Sequence, residues 1–94
     1  MARMIVTHRV ADFNNWKKAF DSMAETRKAH GWIGHEVLRD EADPNKVTII
    51  NKMKSLDAAR AYGTSPDIKA AMANGGVLSA PEITFLNDEE VVSY

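Results

Sequence analysis

Residues 47–53, with the sequence VTIINKM, have apolar side chains on both faces of a predicted β-strand. Successive side chains of a strand point to opposite faces of the sheet, so Val47, Ile49 and Met53 share one face and Ile50 lies on the other. A strand that is apolar on both faces is typical of a sheet that is covered on both sides. This segment therefore predicts a sheet with a layer packed against each face.

The segments around this strand predict a hairpin and a first strand. Residues 43–45, Asp-Pro-Asn, supply a turn between the strand at 47–53 and a preceding strand at 35–40. Near the N-terminus, residues 4–10 are mostly β-branched or apolar and end at Ala11-Asp12, so they predict the first strand.

A helix is predicted between the first strand and the hairpin. Asp12 is a good N-cap, and the pattern that follows ends at His30-Gly31. Between these limits, side chains that would form one buried stripe recur at intervals of three and four residues. They are Phe13, Trp16, Phe20, Met23 and Arg27.

The C-terminal half predicts an interrupted second helix and a last strand. Ser55 can cap a short helix, and Ser65-Pro66 can start further helical turns that end at Gly75-Gly76. Residues 81–86 then predict the last strand. The apolar positions of the two helical pieces are Leu56, Ala59, Tyr62, Ile68, Ala71 and Met72.

The resulting order, βαββαβ, is that of the ferredoxin-like α+β sandwich, in which an antiparallel sheet covers two helices on one face. A chain of 94 residues suits one domain, 1–94, because so short a chain cannot support two independent cores. A second copy of the sheet is the simplest cover for the other face, since most soluble oligomers are symmetric homodimers. We therefore predict a ferredoxin-like domain that forms a homodimer.

Composition excludes several classes of function. The chain is 45% hydrophobic and 27% charged, and no apolar run approaches the roughly 20 residues that span a bilayer, so we expect no membrane partner and a cytoplasmic location. The absence of cysteine excludes thiolate nucleophiles and zinc–thiolate sites. A net charge of −1 with interspersed charges gives no basic face for nucleic acid.

Several short motifs are distributed along the chain: HRVADF at 8–13 with WK at 16–17, DPN at 43–45, SPDIK at 65–69 with Met72, and GV at 76–77 before Pro81. With these motifs the chain resembles the dimeric α+β-barrel superfamily, specifically its antibiotic-biosynthesis-monooxygenase-like branch and small proteins labelled "cyclase". The resemblance covers nearly the whole chain and implies a homodimer that binds its ligand within each monomer, between the helices and the sheet. Members of this superfamily include oxidoreductases, namely cofactor-independent oxygenases that act on phenolic polyketides, as well as haem-degrading enzymes, proteins of aldoxime and halogenated-aromatic metabolism, and small proteins with no assigned reaction.

Haem-degrading members of this superfamily differ from the chain at their functional positions. They have an Asn on strand one, a Trp at the end of strand three and a haem-ligating His on the last helix. The matching residues here are His8, Met53 and Met72. Because the Trp and the His are both missing, the resemblance implies no haem, and we expect no cofactor.

His8 and Asn51 are the candidate catalytic residues. His8 shares strand parity with Val6 and Val10, so on a helix-facing side its imidazole would lie in an apolar pocket and could accept a proton from a phenol or an acidic carbon. Asn51 shares parity with Ile49 and Met53 and could donate a hydrogen bond to a substrate oxygen or enolate. Each also has a structural interpretation: a hydrogen-bonded, half-buried histidine, and an asparagine at an edge or paired with backbone.

The candidate substrate-binding residues would form the walls and mouth of the same pocket. Flat aromatic walls suit a flat ligand, methionines give adaptable apolar surface, and core packing explains both residue types equally. Arg27 could pair with a substrate carboxylate, or with Glu36 or Asp40 in a structural ion pair. The complete set is Trp16, Phe20, Arg27, Met53, Tyr62, Met72 and Phe85.

No metal site is predicted, because His30, His35 and Glu36 lack a recognisable ligand spacing. The favoured function is a monooxygenase-like or cyclase-like enzyme that acts on a small aromatic or polyketide-like molecule. Two alternatives remain: a non-catalytic ligand-binding or stress-associated dimer, and an interaction protein whose dimer matters more than any pocket. A cavity in which His8 and Asn51 converge would favour the enzyme or the binding protein over the interaction protein.

Overall fold

The described chain contains four strands and three helices. A computed structural model describes residues 2–66, 69, 72–73, 75–78 and 80–94. The elements are β1 (Ala2–Arg9), α1 (Phe13–Ser22), α2 (Ala24–Ala29), β2 (Trp32–Arg39), β3 (Lys46–Met53), α3 (Leu56–Gly63) and β4 (Glu82–Asn87). The strands form one antiparallel sheet in the order β2-β3-β1-β4, which is the predicted βαββαβ, ferredoxin-like arrangement.

Because side chains alternate along each strand, the sheet has an inner face toward the helices and an outer face on the opposite side. On β1 and β3, Met4 lies opposite Asn51 and His8 lies opposite Val47, and these side chains face the helices. Val47 and Met53 are completely buried there. The main apolar layer of the protein therefore lies between the inner face and the helices.

The outer face bears the opposite parity and is mixed in character. Ile5 and Ile50 are paired across β1 and β3 and are half-buried, whereas Leu38 and Leu86 are about half exposed, at 48% and 46%. Thr7 and Thr48 share a hydrogen bond of 3.0 Å between their hydroxyl oxygens. Strand β3 thus has apolar side chains on both faces, as its sequence predicts.

Two strands begin at least two residues earlier than the sequence predicts, while the other two agree with the prediction to within one residue at each end. Strand β1 covers residues 2–9 rather than 4–10, and Val10 forms a separate bridge with Val77. Strand β2 begins at Trp32 rather than at His35, because an irregularity between Trp32 and Gly34 lets the strand pair with β3 through the glycine. The earlier start places Trp32 on the inner face.

The helix predicted from Asp12 to His30 is wrong as a single element, because it is broken at Met23. Asp12 is the N-cap and its carboxylate accepts from the backbone N–H of Asn14. The Ser22 hydroxyl donates to the carbonyl of Ala19 at 2.6 Å, and the Met23 N–H bonds to Phe20 three residues back. Such local bonds tighten the last helical turn and end α1, and α2 begins as a separate helix at Ala24.

Helix α3 confirms the prediction of a cap at Ser55, whose hydroxyl accepts from the backbone N–H of Ala58 at 3.1 Å. Beyond it, Pro66, Lys69, Met72 and Ala73 have helical backbone, while Ile68 and Ala71 lie outside the described residues. Strand β4 confirms the last predicted strand. Within the described part of the chain, no helix has the length and apolarity to cross a membrane.

We predict that Gly31→Ala destabilises the protein while Gly34→Ala does not. Gly31 has a φ of 91°, a region that L-residues rarely adopt, and a Cβ there would lie 3.3 Å from the Cβ of Ala58. The strained backbone should lower the free energy of unfolding by about 1–3 kcal/mol. Gly34 has no such φ, and its nearest neighbour is the flexible Lys52 side chain at 3.7 Å. Urea denaturation checks both variants, and equal effects would contradict the prediction.

Candidate functional site

An apolar pocket lies between the inner face of the sheet and the helices. The volume of the cavity that water can occupy is about 60 Å³, which is several times the roughly 10–15 Å³ that one water needs. This size favours a compact ligand. Seven of the nine residues proposed from sequence line it, namely His8, Trp16, Phe20, Arg27, Asn51, Tyr62 and Met72.

His8 is the most unusual polar residue of the pocket. Its side chain is 4% exposed, and its ring meets Trp16 edge-on at 5.8 Å between ring centroids. Nδ1 is buried and has no hydrogen-bond partner on another described residue. Burial lowers the pKa of the imidazole, although contact with the backbone of His8 itself raises the pKa and offsets part of this effect. His8 is therefore neutral at pH 7 and can accept a proton.

One wall of the pocket consists of stacked aromatic rings on α1. Trp16 and Phe20 are four residues apart on the helix, which brings side chains onto the same face. Their rings stack with centroids 4.9 Å apart, and Phe13 extends the row with its centroid 5.8 Å from that of Trp16. The wall is flat and apolar, which suits an aromatic ligand.

Arg27, on α2, is a buried cation that is 5% exposed. Its guanidinium carbon lies 3.8 Å from the centroid of the Phe20 ring, and Nη1 donates to the Phe20 carbonyl. Among the described residues, no carboxylate forms an ion pair with it, so the expected pairing with Glu36 or Asp40 is absent. Burial lowers the pKa of Arg27, but an arginine stays protonated at neutral pH.

Asn51 is hydrogen-bonded on both sides of its amide. Its side-chain oxygen accepts a 2.9 Å hydrogen bond from the indole Nε1 of Trp32, and its amide nitrogen donates to the carbonyl of Met4 at 3.1 Å. The bond to Met4 confirms the interpretation of pairing with backbone, whereas the edge interpretation is wrong, because Asn51 is 2% exposed on a central strand. Because its amide is already bonded to protein groups, Asn51 is better suited to hold Trp32 than to contact a substrate.

Trp32 and Tyr62 form the wall opposite α1. Their rings meet edge to face with centroids 4.1 Å apart, and His30 packs against Tyr62 at 5.0 Å. Trp32 was not identified from sequence, although its place directly after the helix-ending Gly31 and beside a predicted strand was a usable signal. Sequence reasoning also missed, as pocket-lining residues, Met4, Val6, Met23 and Ile49.

Met53 and Phe85 lie on the inner face but do not line the pocket. Met53 is completely buried and pairs in register with Ala2 and Trp32, so it belongs to the core. Phe85 packs against Gly63, where its ring would be 3.0 Å from an added Cβ. Both residues are therefore structural supports behind the pocket.

The described residues contain no group of three or more His, Asp or Glu side chains that could hold a metal ion. His35 lies on β2 with its ring against the edge of Phe20 at 5.0 Å. Burial, together with the charges of Arg27 and Lys17, lowers the pKa of His35. The chemistry available in the pocket is thus that of a neutral imidazole, a cationic guanidinium and aromatic surfaces.

Comparison with known proteins identifies the same fold. The family model for antibiotic biosynthesis monooxygenases matches residues 9–74, whereas no curated protein matches the chain. A protein from Caulobacter crescentus, named as an antibiotic biosynthesis monooxygenase, is 24% identical, with a TM-score of 0.73 over 95% of this chain and 90% of its own.

Two further solved structures resemble the chain over nearly its full length. SnoaB, a cofactor-independent oxygenase from Streptomyces nogalater, is 16% identical with a TM-score of 0.78, covering 99% of this chain and 97% of SnoaB. A protein from Bordetella bronchiseptica, also named for antibiotic biosynthesis monooxygenases, is 13% identical with a TM-score of 0.77 and 97% coverage of both chains. At these identities the likeness shows the fold alone.

We predict that Asn51→Leu lowers the free energy of unfolding. The change leaves the indole N–H of Trp32 buried without an acceptor, which costs about 1–3 kcal/mol. Asn15→Leu is the matched control, since Asn15 is exposed on α1 and its replacement should stay within about 0.5 kcal/mol of wild type. Urea denaturation measures both, and a fully stable Asn51→Leu protein would show that the bond to Trp32 contributes nothing.

Proposed function

The chain belongs to the antibiotic biosynthesis monooxygenase family, and we propose that it is a cofactor-independent enzyme of the monooxygenase or cyclase kind. Its substrate is a small aromatic or polyketide-like molecule with an acidic O–H or C–H group. The reaction begins with removal of that proton inside the pocket. The observation that supports this proposal most directly is the buried imidazole of His8, whose Nδ1 bonds to no other described residue, in a pocket with a mainly apolar lining.

His8 is the proposed general base. Buried polar atoms are almost always hydrogen-bonded, so an unpaired basic nitrogen in a pocket requires an explanation, and a catalytic role is one. No protein donor competes with a substrate for Nδ1 among the described residues. Because burial lowers the pKa of this imidazole, the base remains unprotonated to a lower pH than an exposed histidine.

The remaining pocket residues orient the substrate. The flat wall of Trp16 and Phe20 holds an aromatic ring, and Trp32, fixed by Asn51, closes the opposite side. Asn51 is thus a positioning residue in this proposal rather than a donor to the substrate. Tyr62 and Met72 complete the lining.

Two reactions can follow proton removal from an activated CH2 group. In oxygenation, the carbanion transfers electrons to dioxygen, one oxygen atom becomes the new carbonyl, and the other leaves as water with the two hydrogens of the CH2. In cyclisation, the carbanion attacks a carbonyl carbon of the same molecule, and the protonated His8 returns its proton to the resulting alkoxide. Both steps need the same base and the same flat, water-poor site.

The decisive variant is His8→Gln. With 1,8-dihydroxyanthrone in air as the probe, formation of the quinone can be followed by absorbance. Loss of the base should reduce kcat/KM by about 100-fold or more, because general-base catalysis contributes about 10²–10⁴. The wild-type rate should fall as the pH drops through the pKa of His8, at a pH below that of an ordinary histidine, since protonation removes the base.

His35→Gln is the matched control for this experiment. His35 also has a lowered pKa, yet it is exposed and does not line the pocket. Its replacement should leave both the rate and the acid limb of the pH profile near those of wild type. If His8→Gln retains the wild-type rate, His8 is not the base. If the wild-type protein does not turn over the probe but binds it, the pocket belongs to a binding protein instead.

The proposal also includes a homodimer formed through the outer face of the sheet. Ile5 and Ile50 lie side by side at its centre, with Leu38 and Leu86 toward its edges. On the described chain the helices lie on the other side, so this apolar surface has no cover within the monomer. A second copy would cover it with an identical surface, as in most symmetric dimers.

Sedimentation equilibrium should give twice the chain mass for the wild-type protein. Ile50→Lys places a charge at the centre of the proposed interface and should shift the protein to monomer, since burying an unpaired charge is costly. Asn15→Lys, on the exposed surface of α1, should not change the mass. A monomeric wild-type protein at micromolar concentration would contradict the dimer.

A further inference from the structure

Arg27 places a positive charge in the pocket, and no carboxylate of the described residues forms an ion pair with it. The residue lines the pocket and is 5% exposed. Among the described residues, the only hydrogen bond of its side chain is the one from Nη1 to the Phe20 carbonyl. A guanidinium has five N–H donors, so most of its capacity is unused.

The carboxylate that acts on Arg27 through space is bonded elsewhere. Burial lowers the pKa of Arg27, while Tyr62 and Asp21 raise it. The Asp21 carboxylate holds the Lys17 ammonium at 2.6 Å and 2.7 Å. Among the described residues, Arg27 therefore has no carboxylate bonded to it.

Contact with the Phe20 ring does not fully explain such a residue. A cation over an aromatic face gains less free energy than the removal of its charge from water costs. Buried charges are normally paired or hydrogen-bonded for this reason. The geometry of the guanidinium suits a carboxylate, which it can bind through two parallel N–H bonds.

From this arrangement we propose that the pocket binds an aromatic anion, whose carboxylate pairs with Arg27 and whose acidic O–H or C–H lies toward His8. The proposal rests on the pocket being the ligand site of the proposed function and specifies the substrate class. The two residues are linked by an unbroken row of contacts, since His8 touches Trp16, Trp16 stacks on Phe20, and Phe20 lies beneath Arg27. A flat ligand along this aromatic row would have one polar group at each end.

A matched pair of probes tests this inference: 6-hydroxy-2-naphthoate and its neutral amide. Both have a phenol at one end of a flat ring system, and only the former has an anion at the other end. Binding can be measured by quenching of the fluorescence of Trp16 and Trp32 and by calorimetry. The wild-type protein should bind the carboxylate about 10- to 100-fold more tightly than the amide, as expected for a charge-assisted pair.

Arg27→Met should abolish this preference by weakening carboxylate binding while amide binding stays the same. Arg27→Lys keeps the charge but loses the two-pronged geometry, and it should retain part of the preference even if Arg27→Met folds poorly. Arg60→Met, an exposed arginine on α3, is the control and should behave as wild type. Thermal unfolding of each variant separates loss of binding from loss of structure.

The outcomes distinguish this inference from the proposed function. Equal binding of both probes by wild type, a preference that survives in Arg27→Met, or no binding of either probe would overturn the anion proposal. His8→Gln should leave the preference for the carboxylate intact, because the base is not its cause. If His8→Gln keeps full turnover and Arg27→Met loses the preference for the carboxylate, the anion site is supported and the role of His8 as general base is contradicted.

Discussion

In the pairing of β1 with β3, Met4 lies opposite Asn51, Val6 opposite Ile49 and His8 opposite Val47. This register places one polar ring and one polar amide in the apolar layer under the helices. Because side chains alternate between faces, a slip of one residue would move the whole set to the outer face. The pocket, its candidate base and the position of Trp32 all depend on this single alignment.

The polar residues between the sheet and the helices differ in how far their hydrogen-bonding groups are paired within the protein. Asn51 is fully integrated, since it bonds Trp32 and the Met4 carbonyl and so joins β1, β2 and β3. Among the described residues, His8 and Arg27 have fewer partners, because Nδ1 of His8 bonds to no other residue and Arg27 forms no ion pair. Incompletely satisfied polar groups cost stability, and proteins often retain such costs where a ligand binds.

Fold and chemistry have separate origins in this protein. The family relation accounts for the fold, and in this chain a pocket lies between the sheet and the helices. Function depends on the side chains that fill that frame, and the same frame can support different reactions. The row of His8, Trp16, Phe20 and Arg27 is therefore more informative about a ligand than the fold itself.

Sequence alone determined the order of the elements, the shared parity of His8 with Val6 and of Asn51 with Ile49, and the aromatic stripe of α1, because these follow from periodicities of two and about 3.6 residues along one segment. Which face of the sheet meets the helices was decided by the tertiary structure. The break at Met23 could not be determined from sequence, because the sequence does not show whether the Ser22 hydroxyl bonds to the backbone. In the structure this hydroxyl donates to the carbonyl of Ala19 at the end of α1. Tertiary structure decided that Trp32 bonds Asn51, that Met53 and Phe85 lie behind the pocket, and that Arg27 has no acidic partner in the described chain. These features depend on which distant residues meet, and local sequence patterns do not specify distances between elements.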